Sequence, residues 1–160
     1  MVKVVTGAAA ASPNGVLWAQ PHFVSGTGAV LSAELGNQAL AILGDNAAMQ
    51  RVKCSLAIPL DFVAVTKAVV CVFAGSAADL HYQVYTSHGA DGESYTAHSD
   101  STSAATRGMT VALDEIDITD ALTDIAAGDY LGVSFQRNGD NVADTITTLR
   151  VLGVLIEYSR

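Results

Sequence analysis

The final apolar segment, residues 149–158, constrains the fold of this chain more than any other. Its apolar side chains fall on both faces of an extended strand, Val151 and Leu155 on one and Leu152, Val154 and Ile156 on the other. Neither face can be left to water without a cost in free energy, so the segment predicts a strand that is covered on both sides. Residues 67–73 repeat this pattern and predict a second central strand.

Alternation of apolar and polar residues with a period of two dominates the rest of the chain. It predicts half-buried strands at residues 51–58, 80–85, 109–114 and 130–137, and further strands at 16–23 and 39–43. Helix is limited to one turn near residues 119–125, where Asp117 or Thr119 can cap it. About eight strands with Gly, Asn, Asp and Ser between them predict an all-β fold, a single antiparallel β-sandwich resembling a jelly roll. We expect residues 130–137 and 149–158 to form its closing hairpin.

Length and composition limit the domain organisation and the class of partner. The 160 residues fit one domain, which we place at residues 16–160, after a flexible arm at residues 1–15. Hydrophobic residues make up 50% of the chain and charged residues 15%, which favours association with protein. A net charge of -8 with only eight Lys and Arg residues argues against nucleic-acid binding.

The chain has no apolar run of the roughly 20 residues that a membrane span needs, and its N-terminus lacks a signal-peptide core. We therefore expect synthesis in the cytoplasm and no membrane partner. In that compartment Cys54 and Cys71 are expected to be reduced and buried.

Two acidic segments resemble metal sites without matching one. His88, Asp91, Glu93, His98 and Asp100 lie in a polar stretch, residues 87–108, that is predicted to be the chief exposed loop. Their spacing lacks the tight pair of a zinc site, so a solvated loop is the preferred interpretation. Residues 138–141 with Asp144 have oxygen ligands around a glycine, as calcium loops do, but Asn-Gly turn geometry explains them as well. We predict no metal and no cofactor.

No catalytic motif stands out, and we predict that the protein is not an enzyme. The chain has no Gly-x-Ser-x-Gly elbow, and Glu93 with Glu115 is the kind of carboxylate pair that any acidic protein offers. An aromatic platform is the one feature that favours a carbohydrate-binding module. The residues that can supply it are Trp18, Tyr82, Tyr85 and Tyr95, although Tyr82 is predicted to point inward.

Six short motifs in a fixed order give the chain a resemblance to a group of viral proteins. They are Ile58-Pro-Leu-Asp-Phe62, Gly92-Glu-Ser-Tyr95, Asp117-Ile-Thr-Asp-Ala-Leu122, Ala127-Gly-Asp129, Phe135-Gln-Arg137 and Leu152-Gly-Val-Leu-Ile-Glu-Tyr158. Between residues 50 and 158 this order resembles small uncharacterised virion structural proteins of tailed bacteriophages. The resemblance implies a β-sandwich component of the virion, either a decoration (cement) protein on the capsid or a knob-like module of a fibre.

The expectation from sequence is therefore a non-enzymatic capsid decoration protein that contacts capsid protein and copies of itself. Strands that are apolar on both faces predict a homo-oligomer, and analogy with viral jelly rolls makes it a trimer. The alternative is a carbohydrate- or receptor-binding module of a phage fibre. A single-jelly-roll major capsid protein is a third possibility. Such proteins often carry a basic arm, however, and Lys3 is the one basic residue among residues 1–15.

Overall fold

The structure of the chain, a computed structural model, describes residues 14–35, 38–44 and 47–160. These residues form twelve strands and one 3-10 turn at Thr119–Ala121. The strands are β1 (Gly15–Ala19), β2 (Phe23–Ser25), β3 (Ala29–Leu35), β4 (Gln38–Leu43), β5 (Met49–Ala57), β6 (Ala64–Ala74), β7 (Ala78–Gly89), β8 (His98–Ser101), β9 (Ala105–Met109), β10 (Asp114–Asp117), β11 (Tyr130–Asn138) and β12 (Leu149–Ser159).

The strands form two antiparallel sheets that pack face to face. Sheet A has the order β10-β6-β12-β4-β3, and β1 pairs with the other end of β12. Sheet B has the order β2-β5-β11-β7-β8, and β9 pairs with the start of β7. The predicted antiparallel β-sandwich is confirmed. It has more strands than the eight expected because short strands pair along the edges of both sheets.

The core lies between the sheets and takes alternate residues from the long strands. Val52 and Cys54 of β5 and Val133 and Phe135 of β11 are buried, as the alternation in sequence predicts. Residues 67–73 lie within β6, whose neighbours β10 and β12 make it a central strand as expected. The half-buried Tyr82 packs inward, stacked on Phe135 at 5.8 Å between ring centroids.

The predicted closing hairpin is wrong, because β11 belongs to sheet B and β12 to sheet A. Residues 138–141 do form a turn, in which the Asn141 amide donates to the Asn138 carbonyl. The chain then crosses to the other sheet instead of folding back on β11. The faces of β12 also differ from strict alternation. A β-bulge at residues 151–153 puts Val151, Val154 and Ile156 together in the core.

A buried ion pair fixes this crossing. Arg137 and Asp144 are joined by a 2.7 Å contact, and neither side chain is exposed. The guanidinium also donates to the carbonyls of Leu43 and Ile146, and Asp144 accepts the His81 amide. Because its carboxylate is occupied by Arg137, Asp144 serves the fold, which fits the turn interpretation of this segment better than the calcium loop.

Three other segments differ from their predicted form. Residues 16–23 split at Pro21 into β1 on sheet A and β2 on sheet B. Val111 and Leu113, predicted inward, are exposed at 67% and 63% because residues 110–113 turn between β9 and β10. The predicted loop at residues 87–108 contains the end of β7 and all of β8, together with most of β9.

Two predictions concern the ends of the chain and its thiols. The arm at residues 1–15 lies outside the described residues except for Asn14 and Gly15, and Gly15 already begins β1. Cys54 and Cys71 are free and buried, as expected. Among the described residues, none of the helical structure is long and apolar enough to cross a membrane.

Candidate functional site

A trough crosses the middle of the outer face of sheet B, where the outward side chains are small. On the central strand β11 the outward residues are Gly132 and Ser134. Gly132 pairs with Ser55 of β5 on one side and with Ser87 of β7 on the other. Alternate residues of a strand share a face, so these small residues form one continuous floor. Their size is what makes this face concave.

Larger side chains stand around this floor. Ser134 pairs with Lys53 and with Tyr85, which lie on opposite sides of it. His22 lines the trough near β5, where its Nε2 lies 3.4 Å from the Ser55 hydroxyl. The cavity has a volume of about 340 Å³, which falls in the ~300–1,000 Å³ range of small-molecule sites.

The trough continues toward the start of β11 into a second depression. This part has a volume of about 280 Å³ and shares Ser55, Ser87 and Gly132 with the first. Two tyrosines line it, and both are exposed, Tyr95 at 83% and Tyr130 at 67%. The combined trough therefore has an aromatic side chain at each end, Tyr85 at one and the Tyr95–Tyr130 pair at the other.

The distance between its ends sets the length of a suitable ligand. Tyr85 lies opposite Ser134, and Tyr130 precedes Ser134 by four residues on β11. Four strand residues span about 13 Å, so a single sugar-sized ring cannot touch both tyrosines. The trough suits an elongated polar ligand with several rings.

Hydrogen bonds hold several of the polar groups near the trough in place. The Tyr85 hydroxyl donates to Gln83 Oε1 at 2.8 Å. At the β8 end, Asp100 accepts a 2.6 Å hydrogen bond from the Thr123 hydroxyl. The Thr123 hydroxyl and then the Ser101 amide hold the pKa of Asp100 below its usual value, so this carboxylate stays an acceptor at neutral pH.

The His, Asp and Glu residues of the 87–108 segment are only partly brought together. His88 lies inward on β7 and is 2% exposed, with Nδ1 2.9 Å from Asp129 and Nε2 3.3 Å from the Thr123 carbonyl. Its ring stacks on that of His98 at 4.9 Å, and His98 lies 3.7 Å from Glu93. Within the described ranges, no three His, Cys, Asp or Glu side chains are grouped to hold a metal ion. Both nitrogens of His88 serve the fold instead.

The arrangement offers contacts to a ligand rather than a reactive group. The His22–Ser55 contact is the nearest approach to a nucleophile and base, but no carboxylate in the described part of the chain is hydrogen-bonded to His22. Burial raises the pKa of Cys54, below the floor, to about 12, so its thiol is not a nucleophile at neutral pH. Glu93 lies in the loop between β7 and β8, whereas Glu115 lies on β10 of sheet A and pairs with Lys67 at 2.6 Å.

The four aromatic residues proposed as a platform do not lie together on one face. Trp18 lies on β1 of sheet A, and Tyr82 points into the core, so only Tyr85 and Tyr95 remain near the trough. Sequence reasoning missed Tyr130 and the small floor residues. The sequence does contain one indication of the floor. On the solvent-facing side of residues 130–137, the small residues glycine and serine alternate with the buried Leu131, Val133 and Phe135.

Comparison with protein-family models and with curated protein sequences finds no match. Solved structures resemble the chain at low identity. The carbohydrate-binding module TmCBM61, in complex with β-1,4-galactotriose, matches with a TM-score of 0.44 and 9% identity over 86% of this chain and 88% of that one. A family 11 carbohydrate-binding module from Clostridium thermocellum, in complex with a mixed-linked tetrasaccharide, matches with a TM-score of 0.44 and 10% identity over 98% and 93%.

A viral structure is also similar. The enzymatically active domain of tailspike protein 4 from bacteriophage CBA120 matches with a TM-score of 0.40 and 9% identity, over 92% of this chain but 19% of that one. At such identities these likenesses concern the β-sandwich fold and say nothing about ligands of this chain.

Proposed function

We propose that the protein is a carbohydrate-binding β-sandwich module that holds an oligosaccharide in the sheet B trough. The observation that carries this proposal is the floor of Ser55, Ser87 and Gly132 between exposed tyrosines. Sugar rings present hydroxyls around a less polar C–H face, so they suit serine and lysine donors beside aromatic rings. From the sequence, this function is the alternative to capsid decoration.

In the proposed complex, the aromatic and the polar residues of the trough contact different groups of the ligand. Tyr85 and Tyr130 stack on two different rings of the ligand, since about 13 Å of strand separates them. Lys53, Ser55 and Ser87 contact the hydroxyls between those rings. The proposal is for binding without hydrolysis, because the site offers no activated nucleophile.

A glycan array followed by calorimetry with the best ligand tests the proposal. Tyr85→Ala and Tyr130→Ala should each weaken binding about tenfold, since an aromatic ring contact is worth about 0.5–1.5 kcal/mol beyond the area that it buries. Leu60→Ala is the control, because Leu60 is an 88% exposed side chain that lines neither the trough nor the outer face of sheet A. Equal weakening by all three changes would contradict a site in the trough, and no signal from the parent on the array would contradict glycan binding.

Filling the floor gives a sharper test. A Cβ added at Gly132 would lie 3.5 Å from Ser87 Oγ, an ordinary contact, so a side chain there does not strain the backbone. Gly132→Leu should therefore abolish binding while leaving the unfolding midpoint near that of the parent. A folded Gly132→Leu variant that still binds the glycan would refute the proposed location.

Capsid decoration remains the second candidate and is favoured by a separate observation, the apolar outer face of sheet A. Leu155 and Phe73 on that face are only half-buried, which suits contact with another protein. Decoration would place the protein on the virion. The test is co-sedimentation with particles that lack the protein. Loss of co-sedimentation on Gly132→Leu would instead assign particle binding to the trough.

A further inference from the structure

The outer face of sheet A is apolar, and several of its side chains are exposed or half-buried in the described part of the chain. Side chains on this face do not belong to the core between the sheets, and Trp18 is 46% exposed. Its chief apolar residues, here called the sheet A face, are Trp18, Val30, Ile42, Phe73, Leu152 and Leu155. An apolar surface of this kind on a folded domain marks an interaction site.

The area of this face fits a protein interface. Strand β6 has 11 residues, so the face is about 35 Å long, and four strand positions make it about 20 Å wide. These dimensions give roughly 700 Å², close to the ~800 Å² that each partner buries in a typical stable complex.

The charges on the face show what kind of partner fits. On the central strand β12, outward side chains run from Arg150 through Leu152 and Leu155 to Glu157. Arg150 lies over the Phe73 ring at 5.4 Å. Glu157 stands beside Lys67 of β6, whose ammonium is held by Glu115 at 2.6 Å. Within the described residues neither Arg150 nor Glu157 lies within salt-bridge distance of an opposite charge. The row is therefore positive at one end, negative at the other and apolar in the middle.

We propose that the sheet A face binds a second copy of this chain in a two-fold symmetric dimer. A two-fold axis near Gly153, at the middle of the row, sets the two β12 strands antiparallel across the interface. It brings Arg150 of each copy to Glu157 of the other, and Leu152 of each copy to Leu155 of the other. This self-complementary pattern is the requirement for an isologous interface.

Trp18 lies at the centre of this interface. Its ring is 2.9 Å from the position that a Cβ on Gly153 would take, so it covers the glycine beside the axis. Exposed tryptophans near the centre of an interface often contribute most of its binding energy. The dimer is independent of glycan binding, because the trough opens on the other sheet.

Mass in solution provides the first test. Light scattering and sedimentation velocity at about 50 μM should give twice the chain mass of 16.5 kDa. Leu155→Asp should raise the dissociation constant at least a hundredfold. Leu60→Asp is the matched control, since Leu60 is an 88% exposed leucine outside this face, and it should leave the mass unchanged.

Charge exchange tests the two-fold geometry itself. Arg150→Glu alone and Glu157→Arg alone should each weaken the dimer about tenfold or more, because like charges then meet at both ends of the row. The double variant Arg150→Glu/Glu157→Arg should restore the parent affinity. An equimolar mixture of the two single variants should also form dimers, which native mass spectrometry can identify as mixed.

Several results would overturn the proposal. A monomeric parent would show that the face is free or covered by another segment, and a trimer, the state expected from sequence, would exclude a two-fold pair. A Leu155→Asp variant that remains a dimer would place the interface elsewhere. Failure of the double charge exchange to restore affinity, with both single variants weakened, would reject the antiparallel alignment of β12.

Discussion

The buried ion pair between Arg137 and Asp144 provides the strongest test of how this fold is held together. Asp144→Asn keeps the size of the side chain and removes its charge. The buried Arg137 guanidinium then loses the negative charge of Asp144, and an amide donor group replaces one of the acceptors that it contacts. We expect this single change to be among the most destabilising polar substitutions in the chain.

The structure sets the size of the effect. Both side chains are completely buried, and the carboxylate also accepts the His81 amide. Removing one partner of such a pair costs about 3–5 kcal/mol, which is a large part of the roughly 5–15 kcal/mol by which a domain is stable. Since about 1 kcal/mol shifts the midpoint of a domain of this size by roughly 2–4 °C, the expected loss is about 6–20 °C.

Urea unfolding followed by circular dichroism measures the free energy of unfolding directly. The exposed pair Lys67–Glu115, in which the side chains are 38% and 42% exposed, is the matched control. Glu115→Gln should cost no more than about 1 kcal/mol, because surface pairs are screened by water. The reasoning would be refuted if Asp144→Asn destabilised the protein no more than Glu115→Gln does.

Three further predictions follow from buried or hydrogen-bonded groups. Phe135→Ala should cost about 3–5 kcal/mol because the ring is 2% exposed in the core, and a thermal midpoint equal to the parent's would contradict this. Burial raises the pKa of Cys54 to about 12 and also raises that of Cys71, so iodoacetamide at about pH 8 should label both thiols only in urea, as mass spectrometry can test. Thr123→Val should raise the pKa of Asp100 in a carboxyl NMR titration, since it removes the main hydrogen bond to the charged form. Because a lowered pKa stabilises the fold above the usual Asp value of about 3.9 and this stability is lost as the pH falls through the folded-state pKa, the variant should be less stable than the parent at neutral pH, and the difference should shrink on acidification.

For most of the long strands, the sequence by itself determines the extended segment and its buried face. In residues 51–58 and 130–137 the alternation predicts the buried residues Val52, Val133 and Phe135. It does so because successive side chains of a strand point to opposite faces. A strand that lies between water and a core therefore needs an apolar residue at every second position, whichever strands pair with it. The same reasoning identifies β6 as a central strand, since both of its faces are apolar.

The assignment of strands to sheets depends on tertiary structure. Residues 130–137 and 149–158 have the spacing of a hairpin, yet the structure places them on opposite sheets, joined through the Arg137–Asp144 pair. Alternation shows that a strand has a dry face but carries no information about which strand pairs with it. The short strands β8 and β9 also escape prediction, because their polar residues gain order mainly from pairing with β7.

The trough on sheet B depends on that pairing. Ser55, Ser87 and Gly132 are far apart in sequence and are ordinary outward residues of three strands. Only the register of β5, β11 and β7 sets them side by side, and only then does their small size create a trough. The sequence therefore determines the local pattern of each strand, whereas the tertiary structure decides the site, because hydrogen bonds between distant strands fix which side chains become neighbours.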